Sequence, residues 1–95
     1  MTPLSITLAV CRVFGVTEAE LIGTVRRCPR VSDARTCAMY FHSLNRSRYF
    51  NLGDIGRLYN RVDSTVSVAL QRHERFMKVD RLYREAVEKV KGMLK

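Results

Sequence analysis

Asn51 to His73, NLGDIGRLYNRVDSTVSVALQRH, reads as two short helices joined by a tight turn. Asn51 can cap the first helix, because its side-chain oxygen accepts from the free N–H groups of the opening turn. Leu52, Ile55, Leu58 and Tyr59 then recur three and four residues apart, which gives that helix one apolar face. The polar pair Asn60-Arg61 suits the turn, and Asp63 stands where it can cap the second helix. On the second helix Val66, Ala69, Leu70 and His73 share one stripe, prolonged by Phe76 and Met77. The opposite face carries Ser64, Val68, Gln71 and Arg75, flanked by Thr65 and Arg72. Small hydroxyls at the start of a helix with cations further along suit a DNA major groove. Short side chains let the backbone approach, hydroxyls and amides meet base edges, a valine meets a thymine methyl, and arginines meet phosphate or guanine.

The chain around this stretch is basic, with 17 Lys and Arg against 9 Asp and Glu, a formal net charge of +8. Such an excess in 95 residues points to a polyanionic partner. A membrane is the weaker choice, since no stretch approaches the roughly 20 apolar residues needed to span one. The opening MTPLSITLAVCRVFG has no basic residue before its apolar run, and Arg12 interrupts that run, which argues against a secretion signal. The expected setting is cytoplasmic, associated with the nucleoid. Cys11, Cys28 and Cys37 are odd in number and lack paired spacing, so they read as buried or half-buried thiols rather than a zinc site.

Taken in order, Thr2-Pro3 opens a helix with a cap and a first-turn proline. Ile6, Ala9, Val10, Val13 and Phe14 form its inner face, which Leu4, Leu8 and Cys11 widen, and Gly15 ends it. Thr17 and Glu20 make a capping box for a second helix expected from about Glu18 to Val25, burying Leu21 and Ile22. Pro29 then prevents helix continuation through a basic loop, and Ser32 is expected to cap a third helix that buries Ala34, Cys37, Ala38, Phe41 and Leu44. Past the break at Val79-Asp80, Leu82, Tyr83, Ala86, Val90 and Met93 make the stripe of a last helix whose outer face alternates in charge. The expectation is therefore an all-α protein of about six helices in a single compact domain, residues 1–95, with a central helix-turn-helix. Arg26, Arg27, Arg30, Arg35, Arg46 and Arg48 are expected to contact phosphates on either side of the groove-bound helix.

These residues resemble a known family. The chain, from about Ile6 to Leu94, is similar to the C-terminal DNA-binding domain (domain IV) of the bacterial replication initiator DnaA, itself similar in fold to the Trp repressor. VCRVFGVTEAEL resembles that family's opening V-A-x-x-[YF]-x-[IV]-x-x-x-[DE]-L, and RTCAMYF resembles its R-Q-x-A-M-Y-L helix. The most specific piece is IGRLYNRVDSTVSVALQR, in which Ile55, Gly56, Tyr59, Asn60, Arg61, Ser64, Thr65, Val66 and Ala69 fit the family signature. The resemblance implies sequence-specific binding of double-stranded DNA, as a replication-initiator-like origin binder or a mobile-element regulator. It implies DNA contacts at Arg61, Ser64 and Thr65; the helical face adds Arg57, Val68, Gln71, Arg72 and Arg75. Departures are as informative. Asp63 stands where the family has a base-reading His, Val62 replaces an acidic residue, Ser67 replaces an aliphatic one, and Asp33 falls opposite a minor-groove arginine. Asp63 can accept from a cytosine amino group, so it stays among the expected contacts.

No G-x-x-x-x-G-K-[ST] loop is present, so no nucleotide and no other cofactor is expected. The chain reads as a piece of a longer initiator or a free-standing relative from a phage or mobile element, with a dimer or a larger initiator-like protein as a further partner. His73 lies on an apolar stripe and reads as a hydrogen-bonded core residue, and Cys37 and His42 fall on different helix faces, so no enzyme activity is expected. RNA is disfavoured, since no sheet platform offers aromatic stacking. The rival reading is a protein-interaction module that kept the fold and lost DNA reading, motivated by Asp33, Val62, Asp63 and Val68.

Overall fold

A computed structural model describes residues 2–23, 28–45 and 50–94. They form six helices: α1 (Pro3–Phe14), α2 (Glu18–Ile22), α3 (Pro29–Ser43), α4 (Leu52–Leu58), α5 (Asp63–Val79) and α6 (Arg81–Met93). The protein is thus a small all-α domain, and no helix among the described residues is long and apolar enough to cross a membrane.

Helix α3 is the spine. Val31, Ala34, Thr36, Cys37, Ala38, Met39, Phe41 and His42 are all buried, and four of them are consecutive, so from Thr36 to Met39 the helix is covered on every side. Helices α1, α2, α4 and α5 pack around it, and α6 closes the layer against α1 and α5. Small residues at Ala34, Cys37 and Ala38 let these neighbours approach closely, and Ile6, Val10, Leu21, Ile55, Val66 and Val90 fill the space between them.

Two polar clusters fasten the layers. Tyr59, at the end of α4, sends its hydroxyl to Thr7 Oγ1 on α1 (2.8 Å) and to His42 Nε2 on α3 (2.7 Å). His42 Nδ1 is buried without a partner. The cheaper tautomer therefore leaves Nδ1 as a bare lone pair, with Nε2–H donating to Tyr59 and Tyr59 donating to Thr7. In the second cluster His73 of α5 stacks on Tyr40 of α3 at 3.7 Å between ring centroids, and its Nδ1 hydrogen-bonds the Tyr83 hydroxyl of α6 at 2.8 Å. His73 is the hydrogen-bonded core residue expected from its place on the stripe.

Helix ends follow local chemistry, with three corrections. Thr2, Thr17, Asn51 and Asp80 cap their helices by side-chain acceptance, and Gly15 ends α1 at φ +67°. The Asn51 cap is a full capping box with Asp54, which the pattern alone had not suggested. Helix α3 begins at Pro29, not after Ser32, because a proline that stops one helix is preorganised for the first position of the next. Helix α2 ends at Ile22, short of Val25, since Gly23 turns extended. Val62, not Asp63, occupies the N-cap of α5 and offers no side-chain bond; Asp63 sits in the first turn, where its charge suits the helix dipole. Several stripe-edge residues are exposed rather than buried: Leu4, Leu8, Ile22, Leu44, Leu82 and Met93. Val87, which the stripe left out, is buried with Tyr83 and Val90.

The turn between α4 and α5 is tight. Asn60 adopts φ +58°, and the Arg61 amide donates to the Gly56 carbonyl at 2.7 Å. A Cβ on Gly56 would stand 2.5 Å from the Arg61 carbonyl oxygen, a backbone atom that cannot step aside. Gly56→Ala is therefore expected to cost about 2–3 kcal/mol in urea denaturation. Gly92→Ala, in a helix with nothing near the added methyl, should instead stabilise by about 0.5–1 kcal/mol.

Burial lowers His42 to about 4 and lowers His73 as well, Glu74 partly opposing the latter shift. The folded state then binds fewer protons than the unfolded chain, whose histidines titrate near 6.5. The stability contributed by the neutral rings is complete above about pH 6.5 and falls as pH drops toward 4. Urea midpoints measured across that window should decline, and the His42 ring carbon shifts in NMR should stay those of a neutral imidazole down to about pH 4.

Candidate nucleic-acid interface

The side of α5 turned away from the core is defined by what its other side buries. Val66, Ala69 and His73 face inward, while Ser64, Thr65, Val68, Gln71 and Arg75 are exposed and Arg72 is half-exposed. At 100° per residue, Ser64, Val68, Gln71 and Arg75 fall in one stripe directly opposite the buried one. The helix stands against α3, and a small cleft between the two is lined by Ser32, Arg35, Thr65, Val68 and Arg72. An adjoining recess is lined by Cys28, Ser32, Asp33, Arg72 and Phe76. The first half of α3 and the outer face of α5 thus make one continuous surface.

Charges on this surface are not equivalent. Arg72 and Arg75 lie over the Phe76 ring, with guanidinium carbons 5.5 and 5.9 Å from its centroid. Asp33 is half-buried beside Arg72. Burial raises its carboxyl from the ordinary value, the Arg72 charge opposes the rise, and Asp80 adds to it. Arg57 is well exposed and pairs with Asp54 at 2.9 Å one turn back on α4. Arg30 is exposed near the start of α3, and Asp63 is exposed at the start of α5.

Arg35 and Arg61 are used differently. Arg35 Nε donates to the Leu21 carbonyl at 2.8 Å, and its Nη2 donates to those of Glu20 (3.3 Å) and Gly23 (3.4 Å). Arg61 Nη2 donates to Gly23 at 2.6 Å, and its Nη1 donates to Ile22 (3.3 Å), Tyr59 (2.9 Å) and Asn60 (3.1 Å). A helix leaves its last four carbonyls without partners. Between them the two guanidiniums serve the carbonyls of residues 20 to 23 at the end of α2, and the same fork of Arg61 pins the turn before α5. Burial and the neighbouring Arg61 charge both work against the charge on Arg35, yet the carbonyl ends and the negative pole of α2 receive it. Sequence spacing offered no sign of this, because the acceptors are backbone groups up to 39 residues away.

Of the residues expected at the interface, Ser64, Thr65, Val68, Gln71, Arg72 and Arg75 share the outer side of α5, with Asp63 at its start. Arg30 is exposed near the start of α3, and Arg57 stands apart on α4. Arg26, Arg27, Arg46 and Arg48 lie outside the described residues. Ser32 joins the surface without having been singled out for it. Among the described residues no His, Cys, Asp and Glu cluster is arranged to hold a metal. Burial pushes the Cys37 thiol up to about 12, which suppresses the nucleophilic thiolate.

Neither a scan against models of known protein families nor a search of curated proteins yields a match to this chain.

Arg61→Ala should destabilise the domain by about 1–3 kcal/mol, since four carbonyls lose a charged donor. Arg61→Lys should recover only part of that, because one ammonium cannot reproduce the fork. Thermal denaturation of both variants beside Arg75→Ala, expected to lie within about 0.5 kcal/mol of the parent, separates structural from free arginines.

Proposed function

We propose that this chain binds double-stranded DNA as a helix-turn-helix module, with α5 laid in the major groove and neighbouring cations on the phosphates. The observation that carries the reading is the free outer stripe of α5. It is a 17-residue helix whose inner side is locked by Val66, Ala69 and His73, while Ser64, Val68, Gln71 and Arg75 stand directly opposite. Hydroxyl, methyl and amide groups come first along the helix and arginines later, the order in which a docked helix meets base edges and then backbone. The tight α4–α5 turn supports this reading, and the net charge of +8 supplies the attraction to a polyanion. The DnaA-like motifs extend the proposal to origin binding of the replication-initiator kind or to regulation in a mobile element. They also suggest that a dimer, clustered sites or a larger initiator supplies selectivity, which one recognition helix rarely reaches alone.

Fluorescence anisotropy with a random duplex pool across a salt series tests the core of the proposal. Binding should weaken steeply with salt, with a log–log slope near −0.9 for each phosphate neutralised. Arg72→Ala and Arg75→Ala should each weaken binding and reduce that slope by about one, with the fold intact by circular dichroism. Absence of binding at low salt would overturn the DNA reading and favour a protein partner for the same face.

A further inference from the structure

We infer that the α5 face is built to read A·T base pairs, with Val68 against a thymine methyl and Gln71 on the adenine of a neighbouring pair, while the arginines serve the backbone alone. The inference rests on the DNA-binding reading above and adds to it the kind of sequence read.

Reach is the first argument. At 1.5 Å per residue, Ser64 to Gln71 spans about 10 Å of helix, close to the roughly 12 Å width of the major groove. Val68 and Gln71 are three residues apart, about 4.5 Å along the axis, which is between one and two of the roughly 3.4 Å steps of successive base pairs. Arg75 lies about 6 Å beyond Gln71, where a groove-bound helix meets the phosphate wall.

Chemistry is the second. Guanine offers two acceptors to the major groove and is specified by the two-pronged donation of an arginine or by a lysine. Among the described residues, three arginines on α3, α4 and the turn are engaged elsewhere: Arg61 with four carbonyls, Arg35 with three, Arg57 with Asp54. Arg72 and Arg75 lean on Phe76 beside the groove-facing stripe, and Arg72 also faces Asp33. What remains opposite the bases is acceptor-only Asp63, the hydroxyls of Ser64 and Thr65, the exposed Val68 and the Gln71 amide. Asp63 can accept a hydrogen bond only from adenine or cytosine amino groups. Valine selects the one base with a major-groove methyl, and glutamine can donate to and accept from adenine at once. None of these selects guanine strongly.

The test uses the full chain and a duplex site enriched from a random pool. Thymines in that site are replaced one at a time by deoxyuridine, which removes only the 5-methyl group. One replacement should weaken the parent protein about three- to fivefold and leave Val68→Ala unaffected. Gln71→Ala should lose about tenfold of its preference for adenine at an adjoining pair. Two results overturn the inference while leaving DNA binding intact. One is an enriched site whose required pairs are G·C, with the choice relaxed by Arg75→Ala. The other is a methyl effect equal in the parent and Val68→Ala. Absence of duplex binding in any pool would instead remove the reading on which it rests.

Discussion

Everything in this domain depends on enclosing the middle of α3 from all sides. Where that helix is buried its polar groups are cut off from water, and most of them find a partner on a neighbour. His42 finds the Tyr59 hydroxyl, and Arg35 finds the carbonyls of α2. Tyr40 offers its ring to His73. These are also the contacts that orient α4 and α5, so the angle of the helix-turn-helix is a by-product of satisfying the central helix. Apolar burial supplies the bulk of the driving force, and the directional contacts select one arrangement among those that would bury the same area.

The same requirement divides the cations. A net charge of +8 describes the whole chain, but guanidiniums held on carbonyls differ from guanidiniums lying on an exposed ring. The first kind, Arg35 and Arg61, complete the backbone hydrogen bonding of α2 and the turn. The second, Arg72 and Arg75, rest on the Phe76 ring with no carbonyl hydrogen-bonded to them among the described residues and can exchange that contact for an anion at small cost. Charge counting cannot make this distinction, and the substitution of one kind for the other has opposite meanings in an experiment.

The sequence made the six helices and the inner stripe of α5 readable, because periodicity and capping chemistry are local. Thr17 with Glu20 and Asn51 before Leu52 mark helix starts through bonds that span three residues. Where signals conflict, the local reading fails. Pro29 is both a barrier to a preceding helix and a good first residue of the next, and only the surrounding packing decides. Leu8 and Leu82 lie at the margins of their stripes, and an apolar residue there is inside or outside according to where a neighbouring helix stops. The roles of Arg35 and Arg61 were out of reach for a different reason. Backbone carbonyls carry no residue identity, so nothing in the letters of residues 20 to 23 announces a partner.

The shared Gly23 carbonyl has a consequence for how the molecule breathes. A helix as short as α2 has no independent stability in water. Its C-terminal carbonyls are held by one guanidinium from α3 and another from the turn before α5. Peeling α2 away would take all three acceptors from Arg35 and two of the four from Arg61, and so loosen the turn as it left. Residues 18 to 23 and 59 to 61 therefore belong to a single cooperative opening unit, although they are far apart in the chain. Protection of α2 against hydrogen exchange is in effect a gauge of how firmly the helix-turn-helix is set.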